Sequence, residues 1–315
     1  MVESAQPDLK TGGGEHQNMT LEFALLMLLA TLWGASYTFI KLGVATIPPT
    51  TLIAARTLIA GLLLLAIMRA RGLRLPRDVA TWRRFLLQAF LNSVIPWTLI
   101  AWSERSLDAG LATILNSTSP MFTFFLTLTI TRHETLNLRK LFGVMIGMAG
   151  IGLVVGVQAL SGLGEQLVAE IAVVVAAICY AGAAIFSRGF KGLDPMAPAA
   201  GSLLSGAAVL IPVSLVVDRP WTLAPSMSSI LALIGLAVFS TAFAFVIYFR
   251  LIQTLGSVST TAQSYLRVPI GVALGVLFLG ESLTETAWVG LACVFIGVAA
   301  MTIPARKALA IRASS

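Results

Sequence analysis

Side-chain amides recur inside long apolar stretches of this sequence, where a polar group is costly. Gln88 and Asn92 are four residues apart and Pro96 follows four further on, so all three fall on one face of a helix. Asn116 and Gln263 lie in two other apolar stretches. An amide left in lipid without a hydrogen-bond partner is destabilising. These side chains are therefore expected to line a wet, solute-binding cavity, whereas neighbouring serines and threonines are interpreted as bonding their own helical carbonyls.

Arg267 is the candidate for contacting an anionic group. It lies near the middle of an apolar stretch, and no carboxylate occurs in the interior of any predicted span. An unpaired arginine at that depth favours a water-filled cavity or an anionic group on a ligand. Two alternatives stay open, since the side chain could snorkel to the interface or pair with Glu104 or Asp108. Arg56, by contrast, is interpreted as a structural or snorkelling residue.

Aromatic side chains could form the wall of the same cavity. Trp33 and Tyr37 are four residues apart and can project from one face of a helix. Stacked rings accept aromatic or large apolar solutes with little loss of rotamer freedom. Simple core packing is the alternative. The further aromatic candidates are Trp97, Tyr180, Tyr248 and Tyr265.

Three prolines, Pro96, Pro120 and Pro269, are predicted to break helices. A proline inside a helix leaves a carbonyl one turn earlier without its helical partner. Such interrupted helices commonly line the binding sites of transporters. The alternative is that these prolines only bend packed helices.

The composition requires that membrane-spanning helices position these residues. Of 315 residues, 57% are hydrophobic and 11% charged, with a mean hydropathy of +0.90, whereas soluble proteins carry about 25% charged residues. The apolar stretches are continuous and about twenty residues long, which favours helices over a barrel of alternating strands. The sequence therefore predicts an all-α integral membrane protein with ten transmembrane helices, at 21–40, 50–69, 84–103, 108–130, 138–157, 167–187, 196–217, 229–252, 258–279 and 285–303.

The basic residues are distributed very unequally between the two sides of these predicted spans. Of 21 lysines and arginines, 16 fall on the side of the N-terminus, 3 on the other side and 2 within spans. The positive-inside rule then places both termini in the cytoplasm, with tails at 1–20 and 304–315. The net charge of +7 is explained by this distribution, so we expect a lipid bilayer as the partner and no nucleic acid.

The sequence repeats itself after 147 residues. Trp33 then aligns with Tyr180, and Gly143 and Gly150 align with Gly290 and Gly297. The halves are assigned to 21–157 and 167–303, with five helices each. Because five is odd, the second half must enter the membrane from the opposite side, which predicts an inverted-topology repeat.

Four segments of the sequence carry a resemblance to a known family: 32–36 (LWGAS), 56–62 (RTLIAGL), 116–120 (NSTSP) and 279–283 (LGESL). In these segments the chain resembles the EamA-type branch of the drug/metabolite transporter superfamily, and within it the aromatic amino-acid exporters, and the similarity covers 21–303. The resemblance implies metabolite export from the bacterial cytoplasm across the inner membrane, through a central cavity lined by helices one, three, four, six, eight and nine. Arg267 departs from the largely neutral ninth helix of those exporters.

These features together predict a secondary transporter rather than an enzyme or a pump. The sequence has no GxxxxGK[ST] motif and no HExxH motif, so we expect no cofactor, no metal and no catalytic residues. The expected function is export of amino acids, aromatic and other neutral ones favoured, by alternating access. Because acidic residues lie only in tails, loops and span ends, facilitated diffusion is favoured. The alternative is a proton-coupled exporter of drugs or other small metabolites, and a monomer is favoured.

Overall fold

The computed structural model describes residues 19–103, 106–107, 114–131, 138–156, 163–270 and 285–303, without the side chains at 37, 38, 41, 101 and 131. Within these ranges the chain forms helices joined by turns, and no strand is present. Seven of the described helices are long and apolar enough to cross a membrane, and a shorter apolar helix covers Ile114–Ile130. The predicted all-α membrane class is confirmed at this level, while the count of ten spans stays a prediction.

The described helices, numbered by the predicted span to which each belongs, have the following bounds. They are α1 (Met19–Gly43), α2 (Pro49–Ala70), α3 (Val79–Ala89, Phe90–Val94 and Ile95–Ser103), α4 (Ser119–Leu126 and Thr127–Thr131), α5 (Leu138–Val155), α6 (Leu167–Ser187), α7 (Met196–Val217), α8 (Met227–Ala237, Val238–Phe243 and Ala244–Thr254), α9 (Ser257–Thr261, continued at 263–270) and α10 (Glu285–Thr302).

Helix α3 begins earlier than the predicted start at 84. Asp78 caps it, because its Oδ1 accepts a hydrogen bond from the backbone N–H of Thr81 at 2.7 Å. That backbone bond, helped by the Thr81 hydroxyl, holds the pKa of the exposed Asp78 carboxyl below its ordinary value. The extra residues, 79–83, end in Arg83, so hydropathy did not include them in the apolar span.

The two halves of the chain form matching helix pairs. Helix α2 packs along α7 and α5 packs along α10, and the first residues of α2 and α7, 49 and 196, are 147 residues apart. Gly143 lies against the backbone of Gly297, and Gly150 lies against the backbone of Gly290. When each residue is replaced by its repeat partner 147 positions away, one of these contacts becomes the other. A pseudo-two-fold axis between α5 and α10 accounts for this relation.

Helices α3 and α8 each contain one wide turn of π-helix at an equivalent depth, Phe90–Val94 and Val238–Phe243. The buried side chains of these turns are mostly polar. They are Asn92 and Ser93 in α3, and Ser240, Thr241 and Ala242 in α8. Because π-turns occur frequently at functional sites, these two turns direct attention to the space between the halves.

The helix ends define two faces of the bundle. The N-terminal face holds the beginning of α1 at Met19, the end of α2 at Ala70 and the end of α8 at Thr254. The opposite face holds the end of α1 at Gly43 and the beginning of α2 at Pro49. These two names are used below without assigning either face to a cell compartment.

Candidate functional site

A cavity with about 1070 Å³ of empty space, part of it open to solvent, lies between the two halves. It reaches from the middle of the bundle to the opposite face, where Val44 and Pro49 line it. Its described lining comes from α1 (Trp33, Ser36, Ile40, Val44), α2 (Pro49, Leu52, Ile53, Arg56), α3 (Asn92, Trp97, Ile100), α4 and the turn before it (Asn116, Ser119), α6 (Tyr180), α8 (Leu236, Phe245, Tyr248) and α9 (Thr261, Gln263, Ser264, Arg267).

Two asparagines supply neutral polar groups to this cavity. Asn92 lies in the wide turn of α3, and Asn116 lies just before α4 begins at Ser119. Within the described ranges, neither the Asn92 Nδ2 nor the Asn116 Oδ1 has a hydrogen-bond partner. One is a donor and the other an acceptor, and both atoms are buried in this arrangement, so a small rotation of each side chain would let them bind a polar solute group or the water that replaces it.

Arg267 lies in α9 and lines the cavity while half-buried. Its Nε donates a hydrogen bond to Gln263 Oε1 at 2.9 Å, one helical turn earlier. Its guanidinium carbon is 5.0 Å from the centre of the Trp33 ring, which is within range of a cation–π interaction. These contacts fix the guanidinium in the cavity rather than at the membrane surface.

Arg56 lies in α2 and is only 4% exposed. Its Nε donates to Thr241 Oγ1 at 2.8 Å, and Thr241 belongs to the wide turn of α8. Its guanidinium carbon lies 3.6 Å from the centre of the Trp97 ring. Arg56 therefore connects α2, α3 and α8 around the cavity, a position that sequence reasoning missed.

A layer of aromatic rings closes the cavity toward the N-terminal face. Tyr248 and Phe245 line its inner end, with the Tyr248 ring 5.6 Å from that of Trp33. Beyond them Phe249 packs against Tyr248 at 5.2 Å and against Phe190 at 6.0 Å. Phe85 completes the layer, 5.4 Å from Phe190. Because Phe85, Phe190 and Phe249 are almost fully buried, no wide passage runs between the described residues of this layer.

One buried carboxylate lies on the N-terminal side of the aromatic layer. Glu22 of α1, whose side chain is 3% exposed, pairs with Arg250 of α8 at 2.9 Å. Thr254 donates a second hydrogen bond to Glu22 at 2.9 Å. The pair joins the two halves where the rings already close the cavity. Since Arg250 is 44% exposed, we expect this ion pair to contribute little to the stability of the contact between the halves.

Eight of the residues predicted from sequence line the cavity together. They are Trp33, Asn92, Trp97, Asn116, Tyr180, Tyr248, Gln263 and Arg267. The side chain of Tyr37, also predicted, lies outside the described residues.

Two predicted residues lie elsewhere. Gln88 is 0% exposed and one turn nearer the N-terminal face than Asn92, and its amide has no partner in the described part of the chain. Tyr265 is buried against Gly147 of α5, and its hydroxyl donates to the carbonyl of Val144 at 3.2 Å. The cavity extends from the opposite face and ends before it reaches Gln88. The ring of Tyr265 is directed toward α5, so neither residue lines the cavity.

Two of the three predicted helix breaks lie next to interruptions of the helix, whereas the break predicted at Pro269 is not found there. Pro96 follows the wide turn of α3, and Pro120 lies in the first turn of α4, after a non-helical turn at 117–118. In α9 the helix is interrupted at Ala262, whereas Pro269 lies within the helical segment 263–270. A proline tolerates the first turn of a helix because its missing N–H is not needed there, which accounts for Pro120.

The carboxylates that could serve a proton-coupled transporter either bond to groups outside the cavity or lie outside the described residues. Glu22 is paired outside the cavity, as described above. Glu170 is buried near the start of α6, where its Oε1 accepts the backbone N–H groups of Gly164 and Gln166. Glu104 and Asp108, considered as partners of Arg267, lie outside the described residues.

Comparison with known proteins agrees with this architecture. The model of the EamA-like transporter family matches residues 21–156 and again 167–303. A solved crystal structure has a TM-score of 0.74 and 18% identity, covering 90% of this chain and 99% of its own, which shows a shared fold.

Proteins of similar length match most of this chain in sequence. The uncharacterized inner membrane transporter YedA of Escherichia coli is 29% identical, over 89% of this chain and 90% of its own. The uncharacterized transporter YoaV of Bacillus subtilis is 23% identical, over 87% and 94%. With both halves matched by the family model, this multi-pass membrane protein belongs to the EamA-like transporter family.

Proposed function

We propose that this protein exports amino acids, with aromatic and other neutral ones favoured, from the bacterial cytoplasm. The observation that carries the proposal is the cavity, which is closed at one end by aromatic rings and lined by Arg267, two asparagines and Trp33. A cationic guanidinium, neutral amides and an aromatic wall match the carboxylate, the polar backbone and the apolar side chain of such a solute.

In the bound complex, the Nη groups of Arg267, which its bond to Gln263 leaves unused, would donate hydrogen bonds to the substrate carboxylate. Asn116 Oδ1 would accept a hydrogen bond from the ammonium group. The substrate side chain would lie against Trp33 and Tyr248, whose rings pack against each other, 5.6 Å apart, at the inner end of the cavity.

The alternating-access proposal rests on the symmetry of the bundle. Ten spans in two inverted halves, with both termini in the cytoplasm, would place the N-terminal face inside the cell and the cavity mouth outside. The present arrangement is then outward-open. Because the halves are equivalent in fold, the reciprocal packing has a similar energy and opens the N-terminal face instead.

We expect transport to be passive. Purified protein in liposomes should exchange phenylalanine by counterflow, and an imposed pH gradient should not increase the final accumulation. Glu22→Gln should leave this independence of pH unchanged, since Glu22 lies outside the cavity. Accumulation driven by the pH gradient and abolished by Glu22→Gln would instead favour the proton-coupled alternative.

Replacing Arg267 with glutamine should lower the apparent affinity for phenylalanine about tenfold or more, because a charged hydrogen bond is lost. The matched control is Arg74→Gln, which removes an exposed arginine from the α2–α3 loop and should leave counterflow unchanged. Counterflow that fails for every amino acid in the wild type would refute the proposed function. Equal affinity in Arg267→Gln and wild type would refute only the role of Arg267.

A further inference from the structure

The environment of Arg56 is unusual for a buried cation. Thr241 satisfies its Nε, and Trp97 covers one face of its guanidinium. In the described part of the chain its Nη groups have no hydrogen-bond partner, although the residue is only 4% exposed and lines the cavity. A neutral hydroxyl and a ring orient the guanidinium without neutralising it. The edge formed by its two Nη groups therefore stays available, and this edge can donate two parallel hydrogen bonds to a carboxylate.

The charge of the cavity makes this edge significant. The described lining contains two guanidinium groups, Arg56 and Arg267, and no aspartate or glutamate. Charges that are removed from water and left unpaired are strongly destabilising. A zwitterion brings one carboxylate but no net charge, so the described lining keeps an excess of two positive charges. A solute with net negative charge reduces the imbalance, and its favourable energy is larger in this partly dehydrated space than in water.

The two arginines are held by partners of the same chemical kinds, a neutral polar side chain and a tryptophan ring. Each donates its Nε to a neutral side chain and lies over a tryptophan, so each presents its Nη edge. They approach the cavity from different helices, α2 and α9. An anionic group can therefore be bound by Arg56 independently of the contact proposed for Arg267.

We propose that Arg56 is a binding residue of this cavity, and that the preferred substrates are organic anions with an apolar or aromatic body and no ammonium group. N-acylated amino acids are the amino-acid derivatives with this chemistry. The acyl carbonyl would accept a hydrogen bond from Asn92 Nδ2, which has no partner in the described structure. This inference rests on the proposed function, because it requires flux through the same cavity, and it shifts the preferred substrate from the free amino acid to its N-acylated anion.

The test compares three probes with the same aromatic body. N-acetylphenylalanine is an anion, phenylalanine a zwitterion and phenylalaninamide a cation at neutral pH. In counterflow with proteoliposomes, the apparent affinity should fall in that order, with the anion preferred over the zwitterion about tenfold or more. Arg56→Gln should remove most of that preference. Arg56→Lys should retain part of it, because the charge is kept while the stacked fork is lost.

Binding to the purified protein in detergent, followed as the shift in thermal unfolding temperature, is the second measurement. Exchange of phenylalanine without a preference for N-acetylphenylalanine, unchanged in Arg56→Gln, would overturn this inference and leave the proposed function standing. Arg56-dependent binding of N-acetylphenylalanine without flux of any probe would refute the proposed transport function, and of this inference it would leave only the role of Arg56 in binding the anion. If none of the three probes binds or moves, both proposals are wrong.

Discussion

Replacing Gly150 with leucine should prevent the two halves from packing, and little folded protein should be recovered. A Cβ at this position would lie 2.7 Å from the Gly290 carbonyl oxygen and 2.8 Å from the Val294 nitrogen. Both are backbone atoms of α10, so the clash cannot be relieved by rotating a side chain. Helices α5 and α10 would have to separate along their crossing, at a cost that exceeds the about 1–3 kcal/mol of ordinary overpacking.

The matched control is Gly152→Leu, two residues further along the same helix. A Cβ there meets nothing within 4 Å, so the added side chain extends into open space. Both substitutions introduce the same residue and the same gain in helix propensity over glycine. The yield of monodisperse protein and its thermal unfolding midpoint should fall sharply for Gly150→Leu alone. Equal behaviour of the two variants would show that α5 and α10 do not cross at these glycines.

Replacing Gly201 with alanine should disturb the aromatic layer rather than the fold as a whole. A Cβ at Gly201 would overlap the ring carbons of Phe85, which is fully buried. The ring has little room to retreat, because Trp82 packs against it at 5.7 Å and Phe190 at 5.4 Å. We expect Phe85 to leave the layer, so that the cavity becomes accessible from the N-terminal face.

Gly206→Ala is the control on the same helix, because its Cβ would meet Ala89 Cβ at an ordinary 3.7 Å. Accessibility can be measured with Ser187→Cys, a fully buried position near the end of α6, in a background with Cys179 and Cys293 replaced by alanine. Labelling by a membrane-impermeant thiol reagent should increase about tenfold or more in Gly201→Ala, since a disturbance of 1.4 kcal/mol already changes an equilibrium tenfold. An unchanged rate would show that the layer repacks around the added methyl group.

The sequence predicted most of this architecture because hydropathy and the repeat report on long segments. The predicted span 196–217 coincides with α7, and the predicted spans 138–157 and 285–303 end within two residues of the ends of α5 and α10. The glycines at 143, 150, 290 and 297 were recognised as a repeat, and they form the crossing between the halves. Such features depend on composition and spacing, which are visible without coordinates.

The residues that sequence reasoning placed elsewhere depend on rotation about a helix axis. Arg56 was interpreted as structural, because an arginine near a span end can equally snorkel or point inward. Its position in the cavity follows from contacts with Trp97 and Thr241, which are distant in sequence. Gln88 and Tyr265 are polar residues inside spans as Asn92 is, yet one lies under the aromatic layer and the other against Gly147.

The wide turn of α3 has a consequence for insertions and deletions. In an uninterrupted α-helix each residue turns by about 100°, so Asn92 and Trp97, five residues apart, would point about 140° away from each other. Both nevertheless line the cavity, because the turn Phe90–Val94 accommodates the surplus rotation. Removing a single residue there would restore regular winding and swing Trp97 away from Arg56. In this stretch the number of residues is therefore constrained as strictly as the identity of the side chains.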